Sequence, residues 1–255
     1  DRNLSRGLGD VYKRQGTMSA ALGGIVGIFE MPNTNPLTTT PEALEHKIKR
    51  GTETAYTDFA YYFGGTYENS KNLPSWEKLD GVCGIKIFMG ASTGNLLSAT
   101  DEEVEAVVAN GNRVIAVHAE DEFLMNENKK TILKDSNDVG MHCKWRDVNS
   151  SLNATKRVVS LAKKHNRHVH VLHITTAEEM DYLRNNKDTA TVEVLPNHLT
   201  FHAPDCYEQL GTLAQQNPPI REKHHQDALW QAINDGTVDI VCLLYTSPSP
   251  RDRFL

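Results

Sequence analysis

Short apolar runs rich in β-branched residues alternate along this chain with longer stretches that have the hydrophobic period of a helix. A strand that is apolar on both faces must be covered on both faces, which is typical of parallel sheets with helical crossovers. The pattern predicts six complete strands and the start of a seventh. The predicted strands are 23–31, 57–64, 82–90, 113–120, 168–176, 190–196 and 237–241. The predicted helices are 40–51, 98–111, 150–166, 177–187 and 222–236.

Two of the predicted helices carry clear start signals. Thr40 is a preferred N-cap residue, and it is followed by Pro41, which is favoured in the first helical position. Thr100 or Asp101 can cap the next helix, and Glu103 follows at the spacing of a capping box. These signals support helical connections between the strands.

Polar residues cluster where the predicted strands end, in the stretches EMPNTNP, KIFMGAST, VHAED, LHITT and LPNH. In a (β/α)8 TIM-type barrel, the active site lies at the carboxyl ends of the strands. We therefore predict an α/β fold of the barrel kind. The alternative is a doubly wound sheet, which usually carries a glycine-rich phosphate turn after a strand. The glycines of GGIVG lie inside a predicted strand and do not supply that turn.

The two ends of the chain differ in character from the stretch between them. Residues 10–15, DVYKRQ, can be encoded by GATGTGTATAAGAGACAG, and the reverse complement of this string, read one base in, encodes CLLYTS at 242–247. Protein segments have no structural reason to be reverse complements, whereas an inverted DNA adapter has one. We therefore expect 1–15 and 242–255 to be translated adapter and 16–241 to be one partial barrel domain. A pair of disordered tails is the alternative.

The net charge and the cysteine content indicate which binding partners and which cellular compartment to expect. The formal net charge is −6, and there is no basic run, which argues against nucleic acid and anionic membrane surfaces as partners. No apolar run reaches the length of a membrane span. The chain has four cysteines, and Cys242 belongs to the expected adapter. The other three, Cys83, Cys143 and Cys206, are odd in number and widely spaced, which predicts reduced thiols in a cytoplasmic protein.

Lys86 is the most informative single residue. It lies in GIKIFM between Ile85 and Ile87, on a strand expected to be buried on both faces. Burying an ammonium group costs several kcal/mol unless the group is paired or neutralised. One interpretation is a lysine at a strand end, with its ammonium in solvent or paired with a carboxylate. The other is a lysine with a chemical role, through a lowered pKa or a covalent modification.

Two histidines end the strands that follow. His118 ends VIAVH, and His173 ends HVHVLH. A single histidine at a strand end is more often structural than a ligand. Polar groups at the mouths of three consecutive strands shift this balance, because imidazole is the commonest ligand for zinc-like metals. The residues alone indicate a metal-dependent barrel enzyme with an incomplete ligand set.

The alternation of side chains along a strand sorts the remaining histidines. Val169, Val171 and His173 share one face, so we expect His168 and His170 to point the other way and to be structural. Three further histidines lie on predicted helices and are expected to be solvated, namely His165, His224 and His225.

Other polar residues lie near the expected site without a firm assignment. Asn33 in MPNTNP and Asn217 in NPPIR lie in loops just beyond strand or segment ends. Each could hydrogen-bond a polar substrate, and an ordinary Asx turn is the alternative. His198 and Glu120 are close to the site in sequence, but their spacing assigns them no role.

Longer motifs carry a family resemblance. They are GIVGIFEMPNTNP, GIKIFMGASTGNLL, VIAVHAEDE, HVHVLHITTAEEM, VEVLPNHLTFH and NPPIREKHHQDAL. Together they resemble the dihydroorotase family of the cyclic amidohydrolase superfamily, over essentially all of 16–241. The lysine-containing strand followed by GASTGNL is specific to a bacterial branch of that family. The MPNT motif favours dihydroorotase over allantoinase and dihydropyrimidinase.

This resemblance implies a barrel of the metal-dependent amidohydrolase kind, with two zinc ions at its carboxyl mouth. It implies that Lys86 is carbamylated and bridges the zinc ions, which removes the problem of a buried positive charge. His118 and His173 match metal ligands of the family, and Asn33 and Asn217 match substrate contacts. The implied reaction is the reversible interconversion of N-carbamoyl-L-aspartate and L-dihydroorotate plus water, in de novo pyrimidine biosynthesis.

Two alternatives to this activity stay open. One is a hydantoinase-like or allantoinase-like cyclic amidase. The other is a non-catalytic dihydroorotase-like protein that serves as a structural partner of a transcarbamoylase. The expected partners are therefore a small-molecule substrate and either a second copy of the protein or a transcarbamoylase, with neither nucleic acid nor membrane.

The chain also departs from the pattern of the family. The family's His-x-His pair on strand 1 would lie before Gly16, and its proton-shuttling aspartate on strand 8 would fall near Leu244, in the expected adapter. The predicted barrel therefore lacks strand 1 and most of strand 8. No general acid or base is assigned within the chain, and we expect the 255-residue chain to be inactive and prone to aggregate through its open sheet edges.

Overall fold

A computed structural model describes residues 9–91, 96–134, 136 and 138–242, with side chains from residue 14 onward. Its sheet has seven parallel strands in the order of the sequence, from β1 to β7. Because neighbours in the sheet are also neighbours in the chain, the sheet winds in one direction and curls into a partial barrel. The doubly wound alternative, in which the strand order reverses, is excluded. The strands are β1 Gly27–Glu30, β2 Asp58–Gly64, β3 Val82–Phe88, β4 Ile115–His118, β5 Val169–Val171, β6 Ala190–Val194 and β7 Ile240–Val241.

Helices connect the strands and cover the outside of the sheet. The longer ones are α1 Gly9–Leu22, α2 Pro41–Thr54, α4 Asp101–Val108, α5 Glu122–Ile132, α7 Val148–Lys164, α8 Ala177–Arg184 and α11 Lys223–Asn234. Short helices are α3 Leu73–Trp76, α6 His142–Trp145, α9 Pro196–Thr200 and α10 Asp205–Leu210, with 3-10 turns at Ser70–Asn72, Val139–Met141 and Gly211–Ala214. No helix among the described residues is long and apolar enough to cross a membrane.

The main hydrophobic core lies between the sheet and the covering helices. Ile85 and Ile87 of β3 are fully buried there, together with Val104 and Val107 of α4. Equivalent positions on the next strands belong to the same core, because Ile115 pairs with Ile85 in parallel register. The apolar side chains at alternate strand positions therefore hold the helices against the sheet.

The opposite face of the sheet lines the inside of the partial barrel. On each strand, the residues next to the core residues point to this face, because successive side chains alternate between the two faces of a sheet. Lys86 pairs in register with Ala116, and Ala116 pairs with His170. A small apolar cluster that includes Ala116 occupies the same face. The fold therefore places Lys86 and His170 inside the barrel.

The predicted strands and helices are present, with ends that differ by a few residues. Thr100 accepts a hydrogen bond from the Glu103 N–H at 3.2 Å, and Glu103 accepts one from the Thr100 N–H at 2.9 Å. This reciprocal pair is the predicted capping box. Helix α2 continues to Thr54 and does not end at Gly51. A side chain at Gly51 would come within 2.7 Å of the Phe59 ring, so this glycine allows close packing of the helix on β2.

Helices α1 and α5 were not predicted from the sequence. Helix α1 extends across the expected boundary at Gly16 and lies against α2. Within it, the Thr17 hydroxyl accepts a hydrogen bond from the Tyr56 N–H at 3.2 Å. The expected adapter stretches at 1–8 and 243–255, and four residues of the GASTGNL motif at 92–95, lie outside the described residues.

Candidate metal centre

Lys86 lies on β3 and is 1% exposed. Its ammonium donates a hydrogen bond to the Ile87 carbonyl at 2.7 Å and lies 3.7 Å from the centre of the Phe88 ring. Burial lowers the pKa of Lys86 well below its usual range, and the nearby Glu193 carboxylate opposes this only in part. A neutral amine is therefore the favoured form, and a neutral amine is a nucleophile.

His118 and His173 come together at the carboxyl ends of β4 and β5. The Nδ1 atom of His118 lies 3.2 Å from the Nε2 atom of His173, and the two rings are 1% and 3% exposed. Burial lowers the pKa of both imidazoles, and the Glu120 carboxylate opposes this only in part. Both rings are therefore held neutral, which is the state in which imidazole binds a metal ion.

The His173 side chain points to a different face of the sheet from the one expected. Val169 and Val171 pack in the outer core, whereas His170 faces the inside of the barrel. Strand β5 ends at Val171, and His173 then adopts a φ of 42°, in the left-handed region. The expectation that His173 shares a face with Val169 and Val171 is therefore wrong, because simple alternation stops where the strand stops.

The facing nitrogens match what a zinc ion requires. Two ligand nitrogens bound to a tetrahedral zinc at about 2.0–2.1 Å lie about 3.4 Å from each other. The 3.2 Å separation of His118 Nδ1 and His173 Nε2 is close to this spacing. The other ring nitrogen of His173 is buried and makes no hydrogen bond. Among the described residues, no group of three or more His, Cys, Asp or Glu side chains forms a metal site.

Glu120 has a partner that sequence spacing does not reveal. It is fully buried two residues after His118, and its carboxylate lies 2.9 Å from His118 Nε2. Arg146, at the end of α6, donates to both carboxylate oxygens, one of them at 3.1 Å. Burial would raise the pKa of Glu120, but Arg146 and His118 outweigh it and lower the pKa below its usual range. Glu120 is therefore a charged group inside the protein.

A second buried carboxylate, that of Glu193, contacts His173 and His170. Glu193 of β6 accepts a hydrogen bond from the backbone N–H of His173 at 3.2 Å. Its other oxygen lies 3.3 Å from His170 Nε2, and His170 Nδ1 lies 2.9 Å from the Thr191 hydroxyl. His170 is thus held by polar neighbours on the inner face of the barrel, the face that also carries Lys86, so the expectation that it points away from the site is wrong.

The two predicted substrate contacts lie in loops at the expected end of the sheet. Asn33 follows β1 and is half-buried. Asn217 lies in the connection between β6 and α11, is half-buried, and hydrogen-bonds His142. In the same connection, His198 Nε2 lies 3.1 Å from the Pro218 carbonyl oxygen. The assignment of the two asparagines to substrate remains a prediction.

Among the histidines expected to be solvated, His225 is buried. It is 2% exposed, and its Nδ1 accepts a hydrogen bond from the Ala177 N–H at 3.1 Å. This contact joins α11 to the start of α8. His224 is exposed as expected, and His165 is half-buried against Glu105 at 2.7 Å. The prediction was wrong for His225 because its position faces the neighbouring helix.

Known proteins resemble this chain in both sequence and fold. A dihydroorotase from Methanosarcina acetivorans is 32% identical over 237 residues, which are 89% of this chain and 50% of that protein. An allantoinase from Arabidopsis thaliana is 29% identical, over 94% of this chain and 51% of that protein. The solved structure of an L-hydantoinase from Arthrobacter aurescens superimposes with a TM-score of 0.82 at 27% identity, over 90% of this chain and 52% of that one. No protein-family model matches the chain.

The superposition on a solved structure and the strand order agree on the fold. The chain has the fold of the cyclic amidohydrolases. The sequence relatives described above are named dihydroorotase and allantoinase. The chain spans about half the length of the curated relatives it matches.

Proposed function

We propose that the protein to which this chain belongs is a zinc-dependent dihydroorotase. It would interconvert N-carbamoyl-L-aspartate and L-dihydroorotate plus water in pyrimidine biosynthesis. The observation that carries the chemistry is the buried Lys86 beside the facing nitrogens of His118 and His173. The choice of substrate is supported by the MPNT motif and by dihydroorotase relatives at 31–32% identity.

Lys86 would act in this site as a carbamate. A neutral Lys86 amine attacks carbon dioxide, the new N–C bond forms, and one proton leaves the nitrogen for solvent, which leaves an anionic carbamate. The conversion suits the site, because burial disfavours a protonated Lys86, whereas metal ions can neutralise an anionic carbamate. Lys86, His118 and His173 would hold zinc, two ions per site with the carbamate between them. Bound zinc polarises a substrate carbonyl and makes hydroxide available near neutral pH.

Carbamylation gives a direct test of the Lys86 assignment. The full-length protein is loaded with zinc in buffer with and without bicarbonate, and zinc per chain is then measured. We expect low zinc content without bicarbonate and its recovery on adding bicarbonate. In Lys86→Ala, a short carboxylic acid such as propionate should restore zinc binding, whereas bicarbonate should not. Equal zinc content with and without bicarbonate in the unmodified protein would contradict the carbamate.

A hydantoinase-like or allantoinase-like activity is the second candidate. The close superposition on an L-hydantoinase, at a TM-score of 0.82, favours it. The full-length protein should be assayed with dihydroorotate, hydantoin and allantoin under the same zinc loading. We expect turnover of dihydroorotate to exceed that of the other two. Turnover of hydantoin or allantoin without dihydroorotate would replace the first candidate by the second.

A non-catalytic role as a transcarbamoylase partner is opposed by the site itself. A protein freed from catalysis has no reason to retain a buried lysine beside two paired imidazoles. Assembly as a homo-oligomer, or with a transcarbamoylase, is a separate proposal that size determination of the full-length protein tests. Cys83, Cys143 and Cys206 form no disulfide, which supports our proposal of a cytoplasmic location.

We also propose that the 255-residue chain does not turn over substrate by itself. Its described residues bring Lys86, His118 and His173 to one site, and no general acid or base is assigned among them. Its relatives are about twice as long. The test is a parallel assay of the chain and the full-length gene product. Turnover by the 255-residue chain with about two zinc ions bound would contradict this proposal.

A further inference from the structure

The contacts of the Glu120 carboxylate indicate a role other than neutralising the charge of Arg146. Its carboxylate lies between two partners, with Arg146 on one side and His118 Nε2 at 2.9 Å on the other. It is fully buried, as are both partners within 3% exposure. A buried carboxylate has no contact with solvent, so its oxygens must accept hydrogen bonds from neighbouring protein groups.

Arg146 is itself fixed from more than one direction. Its guanidinium donates to the Ala91 carbonyl at 2.9 Å as well as to Glu120. Its backbone carbonyl accepts from the guanidinium of Arg221, which also donates to the Ser151 hydroxyl at 2.9 Å. The arginine that holds Glu120 is therefore tied to the loop after β3, to α7 and to the segment before α11.

The orientation of the His118 ring determines which nitrogen faces His173. An imidazole can turn over and exchange its two nitrogens, and its environment selects one arrangement. With Nε2 toward Glu120, it is Nδ1 that lies 3.2 Å from His173 Nε2. The 2.9 Å contact between Nε2 and the Glu120 carboxylate therefore favours the ring orientation in which Nδ1 faces His173.

We propose that Glu120, held by Arg146, is a positioning residue that keeps His118 Nδ1 directed at His173 Nε2 and so presents a ready pair of metal-binding nitrogens. This inference rests on the zinc site of the proposed function. Carboxylates that contact the far nitrogen of a metal-binding histidine fix its tautomer, and their loss typically weakens metal binding about 10–100-fold. A purely structural Glu–Arg pair would have no such effect on the metal.

The first measurement determines which His118 nitrogen carries the proton in the unmodified protein. The full-length protein, freed of metal and labelled with 15N-histidine, is examined by NMR through the long-range couplings of its imidazoles, with His118→Ala used to assign the His118 signals. We expect His118 to carry its proton on Nε2 and to leave Nδ1 bare. A proton on Nδ1 would overturn the proposal.

The second measurement follows cobalt, whose visible absorption reports its ligands. Glu120→Gln should bind cobalt about 10–100-fold more weakly than the unmodified protein. Glu127→Gln is the matched control, because Glu127 is an exposed carboxylate on the adjacent helix, and it should bind cobalt normally. In a His118→Ala background, Glu120→Gln should have no further effect on cobalt affinity, because Glu120 acts through His118.

The outcomes separate this inference from the proposed function. Normal cobalt affinity in Glu120→Gln, or the same loss with and without His118, would overturn the positioning role. Cobalt binding that depends on Glu120 in a protein that does not turn over dihydroorotate would leave the positioning role intact and reject the substrate. If Glu120→Gln does not fold, the tautomer of the unmodified protein decides the question by itself.

Discussion

The backbone N–H of His173 donates to the Glu193 carboxylate at 3.2 Å, and this contact holds a histidine whose φ is 42°. A residue with a side chain rarely adopts this conformation unless its neighbours compensate for the strain. The same carboxylate lies 3.3 Å from His170 Nε2. One buried acidic residue on β6 therefore supports the turn that directs His173 at His118.

Replacement of Glu193 tests this support. In Glu193→Ala, the His173 N–H and the His170 ring lose their buried acceptor, and we expect the free energy of unfolding to fall by about 1–3 kcal/mol. Cobalt affinity should fall as well, because His173 is no longer held toward His118. Glu193→Gln keeps a hydrogen-bond acceptor, so its free energy of unfolding and its cobalt affinity should both fall less than those of Glu193→Ala. Urea denaturation and cobalt titration measure the two effects.

A matched control is available on the surface. Glu208 is exposed on α10, and Glu208→Ala should leave stability and cobalt affinity unchanged. If Glu193→Ala behaves like Glu208→Ala, the hydrogen bond to His173 does not support the site.

Lys86 offers a prediction about stability without metal. Its side chain is fully buried, and burial lowers its pKa well below the usual range. Lys86→Met keeps an unbranched side chain of similar length and removes the buried amine. We expect the metal-free protein to gain about 1 kcal/mol or more in free energy of unfolding, while zinc binding is lost. Chemical denaturation of the metal-free protein measures the gain in stability, and zinc analysis measures the loss of zinc binding.

Lys163 supplies the comparison for this substitution. It lies exposed on α7, so Lys163→Met should change neither stability nor zinc content. A loss of stability in metal-free Lys86→Met would contradict the view that Lys86 is retained for chemistry at the expense of stability.

Much of the fold could be predicted because local sequence carries it. Near-continuous apolar strands specify a parallel sheet, and the Thr100 to Glu103 capping box specifies where α4 begins. Lys86 lies within β3 and His118 ends β4, both on strands that the sequence predicts. These features depend on residues close together in the chain.

The remaining parts of the site depend on contacts between distant residues. Glu120 meets Arg146 across 26 positions, and Glu193 meets His173 across 20. Neither pair has a spacing that a sequence motif could reveal. The left-handed turn at His173 was missed for a related reason, since the acceptor that stabilises it comes from the next strand. Local sequence therefore identifies Lys86, His118 and His173 as candidate site residues, and the structure adds the groups that hold the two histidines.

His225 predicts a dependence of stability on pH. Burial and the neighbouring His224 lower the pKa of His225 from 6.5 to about 4. Below pH 6.5 the unfolded chain takes up a proton that the folded protein refuses, so the free energy of unfolding falls as the pH falls from about 6.5 toward 4. One such group contributes at most about 1.4 kcal/mol per pH unit. Denaturation across this range should show a smaller slope for His225→Gln.

His46 provides the reference for this experiment. It is exposed on α2, and His46→Gln should keep the slope of the unmodified protein. An unchanged slope in His225→Gln would mean that His225 takes up its proton in the folded state as readily as in the unfolded one.

Gly51 tests how closely α2 packs on the sheet. A Cβ at this position would come within 2.7 Å of the Phe59 ring, so Gly51→Ala must push the helix from β2 despite alanine's higher helix propensity. We expect a loss of about 1–3 kcal/mol in unfolding free energy. Gly27→Ala is the control, since a Cβ there meets the Asp58 carbonyl at an ordinary 3.6 Å, and it should change stability by less than about 0.5 kcal/mol. A stabilising Gly51→Ala would show that α2 lies farther from Phe59, and that Gly51 is not required for its packing.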